Sequence, residues 1–217
     1  QAMGDEIERG EVLEAADRAV ADLLDTAGIA APPIDAVALA RLLGLAEKKR
    51  QGPPPGSEEA KQLLAAQLVG EHLKPALLRA LGIEGRPLLG ASLGGLAAVR
   101  VLAPTPWFAA EARASGFDLP HLKGVFSTAG GELLAWRMLD LPEPALVTVI
   151  DNGSVSKRKA NAFRVPKELG EAERRCLVLV QEESRPHRVR IDGWTVQGWP
   201  VHGADRRREI LRAVPDD

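Results

Sequence analysis

Gly90-Ala91-Ser92-Leu93-Gly94 sets a serine between two glycines, and Asp151 and then His202 follow it along the chain. A serine, a carboxylate and an imidazole in that order are the parts of a nucleophilic hydrolase. The imidazole takes the hydroxyl proton, the carboxylate orients the imidazole, and backbone amides receive the oxyanion. This chemistry also demands a strand running into a strained turn at the serine. Residues 1–87 instead read almost wholly as helix, and Asp151 opens an Asp-Asn-Gly turn, where a short carboxylate serves turn geometry. A serine hydrolase built on Ser92 is therefore the alternative reading.

A different constellation lies at Ala65–His72, AAQLVGEH. Helix residues four apart share a face, so His-Glu-x-x-His can clasp one zinc between two imidazoles while the Glu activates a water. The positions of such a motif fall here on Gln67, Leu68 and Glu71. Gln67 is a neutral amide and Leu68 has no base; Glu71 keeps a carboxylate, and His72 points about 100° away around the helix. Both imidazoles and the base are missing together, so no metal or other cofactor is expected. Cys176, inside an apolar run, is expected to be a small core residue rather than a nucleophile.

The elements that would carry these residues are helices first and strands last. Glu8–Ala27 has apolar residues at helical spacing from Val12 to Leu24 and ends at Gly28. A shorter helix is predicted over Asp35–Leu43, with Asp35 as its N-cap and Gly44 just past its end. Proline lacks an amide donor and disfavours helix in the residue before it, so Gly52-Pro-Pro-Pro-Gly56 reads as a loop. Before it, Ala46–Gln51 is too charged and short to supply more than a truncated strand. Ser57, with Glu58 and Glu59 behind it, starts a long helix running to Leu81 with Pro75 inside. Further helices are expected over Leu88–Leu102 and Pro106–Ser115. Asp118–Val125 and Gly130–Leu139 form a pair of helix-turn-helix proportions. Its only basic residues are Lys123 and Arg137, too few for phosphate contacts to support DNA binding. After Pro144 the period becomes two. Asp151-Asn152-Gly153 joins two strands in a hairpin. Cys176–Gln181, His187–Ile191 and Trp194–Val201 read as a second antiparallel meander turning at Asp192-Gly193, and Arg206–Ala213 as a short closing helix or loose tail.

The composition is that of a globular domain. The 217 residues are 45% hydrophobic and 27% charged, which is enough for one sizeable core or two small ones. No apolar run approaches the length that spans a bilayer, no signal-peptide pattern is evident, and one cysteine excludes an internal disulfide; a cytoplasmic location is expected. The net charge of −2 gives no global electrostatic signal for nucleic acid.

Several segments in one order resemble the ImmA/IrrE family of bacterial metallopeptidases. Ala27–Leu45, AGIAAPPIDAVALARLLGL, has the form of that family's opening. Ala66–Glu71 stands where the family carries A-H-E-[IL]-G-[HE], and Ala66, Gly70 and, at the last position, Glu71 fit. Ala91–Pro104, ASLGGLAAVRVLAP, is similar to the family's E-x-x-A-N-x-[FL]-A segment, with Ala91 at the position of the zinc-ligating Glu. Pro104–Leu141, Val147–Gly153 and Val196–Gly203 are similar to a subgroup of the same family. The resemblance implies an α+β fold. A mostly helical N-terminal two-thirds (1–143) would carry a zincin-like central helix and the helix-turn-helix-like pair, and a small C-terminal antiparallel sheet (144–217) would pack on it. It implies a degenerate, catalytically inactive peptidase that binds a protein or peptide partner such as a transcriptional regulator, with Gln67, Leu68, Glu71 and Ala91 as vestigial cleft positions. An active zinc peptidase with an atypical site is a further alternative.

Overall fold

The computed structural model describes residues 8–45, 56–84, 92–202 and 207–216. The fold is α+β, with helices in the N-terminal part and a five-stranded antiparallel sheet towards the C-terminus. Contacts divide the chain into two units, Gln1–Ala114 with Gly124–Gly130, and Ser115–Lys123 with Gly131–Asp217. Among the described residues, no helix is long and apolar enough to cross a membrane. Ala46–Gln51 lies outside the described residues, and among the described residues the first unit shows no strand.

In the first unit, α1 (Arg9–Thr26) buries Ala15, Ala16, Val20 and Leu24, the three-to-four spacing of one helix face. Gly28 ends it at φ +69, a left-handed conformation that glycine adopts without a Cβ penalty. α2 (Ala36–Leu42) is capped as predicted: Asp35 Oδ1 accepts from Ala38 N at 3.0 Å. α3 (Glu58–Ala80) starts at Ser57, whose Oγ accepts from Ala60 N at 3.2 Å, with Glu58 and Glu59 facing the positive end of the helix dipole. Pro75 lies within α3. Two shorter helices follow, α4 (Leu93–Leu102) and α5 (Thr105–Ala114). Phe126 from the returning segment is fully buried and stacks at a tilt on Phe108, with centroids 5.7 Å apart.

The second unit contains α6 (Leu119–Val125), whose last two residues return to the first unit, α7 (Gly131–Arg137) followed by a 310 turn (Met138–Asp140), and the sheet. Its strands are β1 (Leu146–Asp151), β2 (Ser154–Ala160), β3 (His187–Ile191), β4 (Trp194–Pro200) and β5 (Arg208–Pro215), in the order β2-β1-β5-β4-β3. Both predicted hairpins form. Asn152 and Gly153 (φ +51 and +81), and Asp192 and Gly193 (φ +50 and +75), supply the two consecutive left-handed residues that a tight hairpin turn needs.

Two segments differ from the sequence expectation. Cys176–Gln181, expected as a strand, lies within helix α8 (Glu171–Glu183). The apolar run Cys176–Val180 mimics a buried strand, but the buried positions Ala172, Cys176 and Val180 recur every four residues, and they cover one sheet face. Arg206–Ala213, expected as a helix or tail, contributes most of β5, which pairs with β1 on one side and β4 on the other. Its leading Arg207, Arg208 and Glu209 hide a strand that is buried at all five positions from Glu209 to Ala213. Gly198 lets α8 approach the sheet: a Cβ there would meet Cys176 Sγ and Val180 Cγ2, both at 2.8 Å.

Candidate functional site

The helix pair α3 and α4 carries most of the residues singled out for metal chemistry. α3 is held at its start by Gln62, 4% exposed, whose Oε1 accepts from Ala36 N at 2.8 Å and whose Nε2 donates to Asp35 Oδ1 at 3.1 Å. Further along, Gly70 faces α4 so closely that a Cβ on it would overlap the carbonyl oxygen of Gly94 and lie 2.9 Å from Ala98 N. The helices therefore touch through their backbones. Gly70 meets a packing requirement that only glycine satisfies.

Around that contact, Gln67 and Glu71 are exposed and Leu68 is half-buried. Glu71 sends its carboxylate over Gly94, at a spot that a Cβ on Gly94 would occupy, and pairs with Lys74 at 3.4 Å. His72 is exposed. Ala91 lies outside the described residues, and its methyl side chain holds no donor. An amide, an isobutyl group and one exposed carboxylate cannot form the set of imidazoles and carboxylates that a tetrahedral zinc site requires, so these residues do not fit the metal. Among the described residues, no group of three or more His, Cys, Asp or Glu is placed to hold a metal ion.

The serine-hydrolase residues occupy different surroundings. Ser92 is the residue before α4, with φ −88 and ψ −15, ordinary helical backbone rather than a strained turn. Asp151 commits both carboxylate oxygens to Arg208, accepting from Nε at 2.7 Å and Nη2 at 3.0 Å. His202 Nδ1 accepts from Arg208 N at 3.2 Å. A triad needs that nitrogen to donate to the carboxylate, so Asp151 and His202 share Arg208 as a partner but are not joined as acid and base. Arg208 also binds Glu132, and these carboxylates raise its pKa above the usual guanidinium value.

The helix-turn-helix-like pair is realised as α6 and α7, seven residues each. Arg137 is fully buried and paired with Asp140 at 2.5 Å, so it is not available to a phosphate. Cys176 is also fully buried. Loss of water pushes its thiol from 9.0 up to about 12, and Sγ lies 3.7 Å from the His187 and Val196 carbonyl oxygens.

Two clefts open on features that no short motif marks. One, of about 380 Å3 in the first unit, lies between α1, the turn after it and the start of α5. It ends on Arg100, which is 1% exposed and donates to Asp17 at 2.8 Å, while the Thr105 hydroxyl donates to the same oxygen at 2.5 Å. The other, of about 280 Å3, lies in the second unit between the sheet and the start of α8. Their walls come from residues far apart in sequence, and only the burial of single charges such as Arg100 could have pointed to them.

The chain matches no family model, no curated protein and no solved structure.

Proposed function

We propose that this chain is a non-catalytic relative of the ImmA/IrrE metallopeptidases that binds a protein or peptide partner, such as a transcriptional regulator, without cutting it. One observation carries the reading. The helix bearing AAQLVGEH makes a backbone contact through Gly70, while the positions that would grip zinc and activate water hold Gln67 and Leu68. A helix pair without such donor atoms can present a surface but cannot polarise a peptide carbonyl or generate a hydroxide.

The test is metal analysis of the full chain after equilibration with zinc and dialysis, followed by incubation with helix-turn-helix regulators. The expected result is far less than one zinc per chain, with the bound regulator intact. One equivalent of zinc that disappears in Glu71→Gln, or metal-dependent cleavage of the regulator, would overturn the reading.

A further inference from the structure

The cleft in the second unit has a lining of mixed chemistry. Leu146, Val196 and Ala213 lie fully buried beneath its floor, and its accessible apolar lining comes from Pro166, Ile191 and the half-buried Trp194. The Phe163 ring meets Trp194 edge-on at 5.5 Å and fixes it in place. Glu168 and Asp192, both exposed, add two carboxylate residues to the lining.

The other charged residues that line the cleft, Glu171 and Glu173, are already matched. Glu173, beneath the cleft, binds Arg158, accepts from the Thr148 hydroxyl at 3.1 Å and receives Gly170 N at 2.9 Å. Glu171 pairs with Arg174 at 2.8 Å. Arg158 also donates to the carbonyls of Pro166 and Glu168, and Arg174 to that of Leu169, so the loop forming one wall is set before any ligand arrives. With those pairs neutralised, Glu168 and Asp192 leave a surplus of negative charge over an aromatic, apolar trough; the exposed Lys167 beside Glu168 does not line it. A volume of about 280 Å3 sits just below the ~300–1,000 Å3 usual for small-molecule sites, which suits one long side chain.

We propose that this cleft accepts the lysine or arginine side chain of a partner polypeptide, its aliphatic stem on Pro166 and Ile191, its cation beside Trp194 and between Glu168 and Asp192. A methylene stem with a charged head is the side-chain type that buries apolar surface while keeping its charge at a polar rim. A tryptophan face is the best of the aromatic partners for such a cation. An acidic side chain would meet repulsion from those two carboxylates, and a purely apolar one would gain nothing from them. This inference is independent of the reading of the α3 helix.

The experiment titrates the full chain with acetyl-Gly-Lys-Gly-amide and with its norleucine counterpart. It follows the indole N–H resonance of Trp194, assigned through Trp194→Phe. The lysine peptide should shift that resonance saturably and bind about tenfold more tightly than the norleucine peptide, with the difference shrinking in salt. Asp192→Asn and Glu168→Gln should each weaken the lysine peptide by about two- to fivefold. Asn is at home in the left-handed conformation of residue 192, and residue 168 is exposed, so both variants keep the fold. Equal binding of the two peptides, no saturable shift, or wild-type binding by the double variant would overturn the proposal.

Discussion

Three glycines within the α3–α4 pair respond differently to the same methyl group. At Gly70 an added Cβ runs into the Gly94 carbonyl and the Ala98 amide, which are backbone atoms that cannot swing aside. Gly70→Ala is expected to destabilise by about 3 kcal/mol or more, or to prevent folding. At Gly94 the obstruction is the end of the Glu71 side chain, which can rotate into solvent, so Gly94→Ala should change stability by no more than about 1 kcal/mol. Nothing lies within 4 Å of a Cβ on the exposed Gly95, and Gly95→Ala should stabilise by about 0.5–1 kcal/mol. Urea unfolding of the three variants checks the ranking. Cys176 makes a pH prediction. In the unfolded chain its thiol ionises near 9.0, whereas the folded one holds its proton to about 12. The unfolded state loses its proton first, so stability contributed by the protonated thiol is complete below about pH 9 and lost between about pH 9 and 12. Unfolding curves at pH 8, 9 and 10 should show this decline, and Cys176→Ala should flatten it.

Among the elements, the helices with local signals were readable in the sequence and those defined by distant partners were not. Asp35 and Ser57 cap α2 and α3 where their residue types predicted, because a cap is a contact across three residues. Asn152-Gly153 and Asp192-Gly193 fixed both hairpins for the same reason. β5 is recognisable only through its pairing with β1 and β4, and α8 only through the sheet face it covers. The candidate site divides the same way: the chemistry of Gln67, Leu68 and Glu71 is evident from their types, whereas the matching of Arg100 to Asp17 across 83 residues is not. That pair joins α1 to α4, and removing the carboxylate takes a charged acceptor away from a buried guanidinium. Asp17→Ala is expected to destabilise by about 2–3 kcal/mol, more than Asp17→Asn, which keeps an acceptor for Arg100 and Thr105. Thermal unfolding of the two variants decides it. Asp35 adds an acid-side effect. Bonds from Ala38 and Gln62 hold its carboxyl below the usual value, so its contribution is present above the ordinary carboxylate range and lost as pH falls through the lowered folded value.

For the molecule as a whole, the chain does not finish one unit before starting the next. It leaves the first at Ala114, returns for Gly124–Gly130 and leaves again, so a cut at any of the three crossings removes something that one of the pieces needs. Phe126 is one such residue for the first unit. For the second, the segment before the return supplies Phe117, whose ring lies 3.8 Å from the Arg212 guanidinium, and Asp118, which accepts from Trp199 Nε1 at 3.2 Å. Arg212 is 5% exposed, and burial lowers its pKa to about 10, so the aromatic cover matters to a charge with little water around it. A fragment of residues 115–217 should therefore melt at a higher temperature than one of residues 131–217, with circular dichroism as the readout. Equal melting would show that Phe117 and Asp118 contribute nothing to the sheet.

The position of β5 also governs how this sheet comes into being on the ribosome. β1 with β2, and β3 with β4, emerge as two separate ribbons, because the strand that joins them is translated after both. Until residues 208–215 leave the exit tunnel, β1 and β4 each carry an unzipped row of amides and carbonyls, the condition in which nascent β-structure adheres to its neighbours. Insertion of that single segment into the middle closes both rows together.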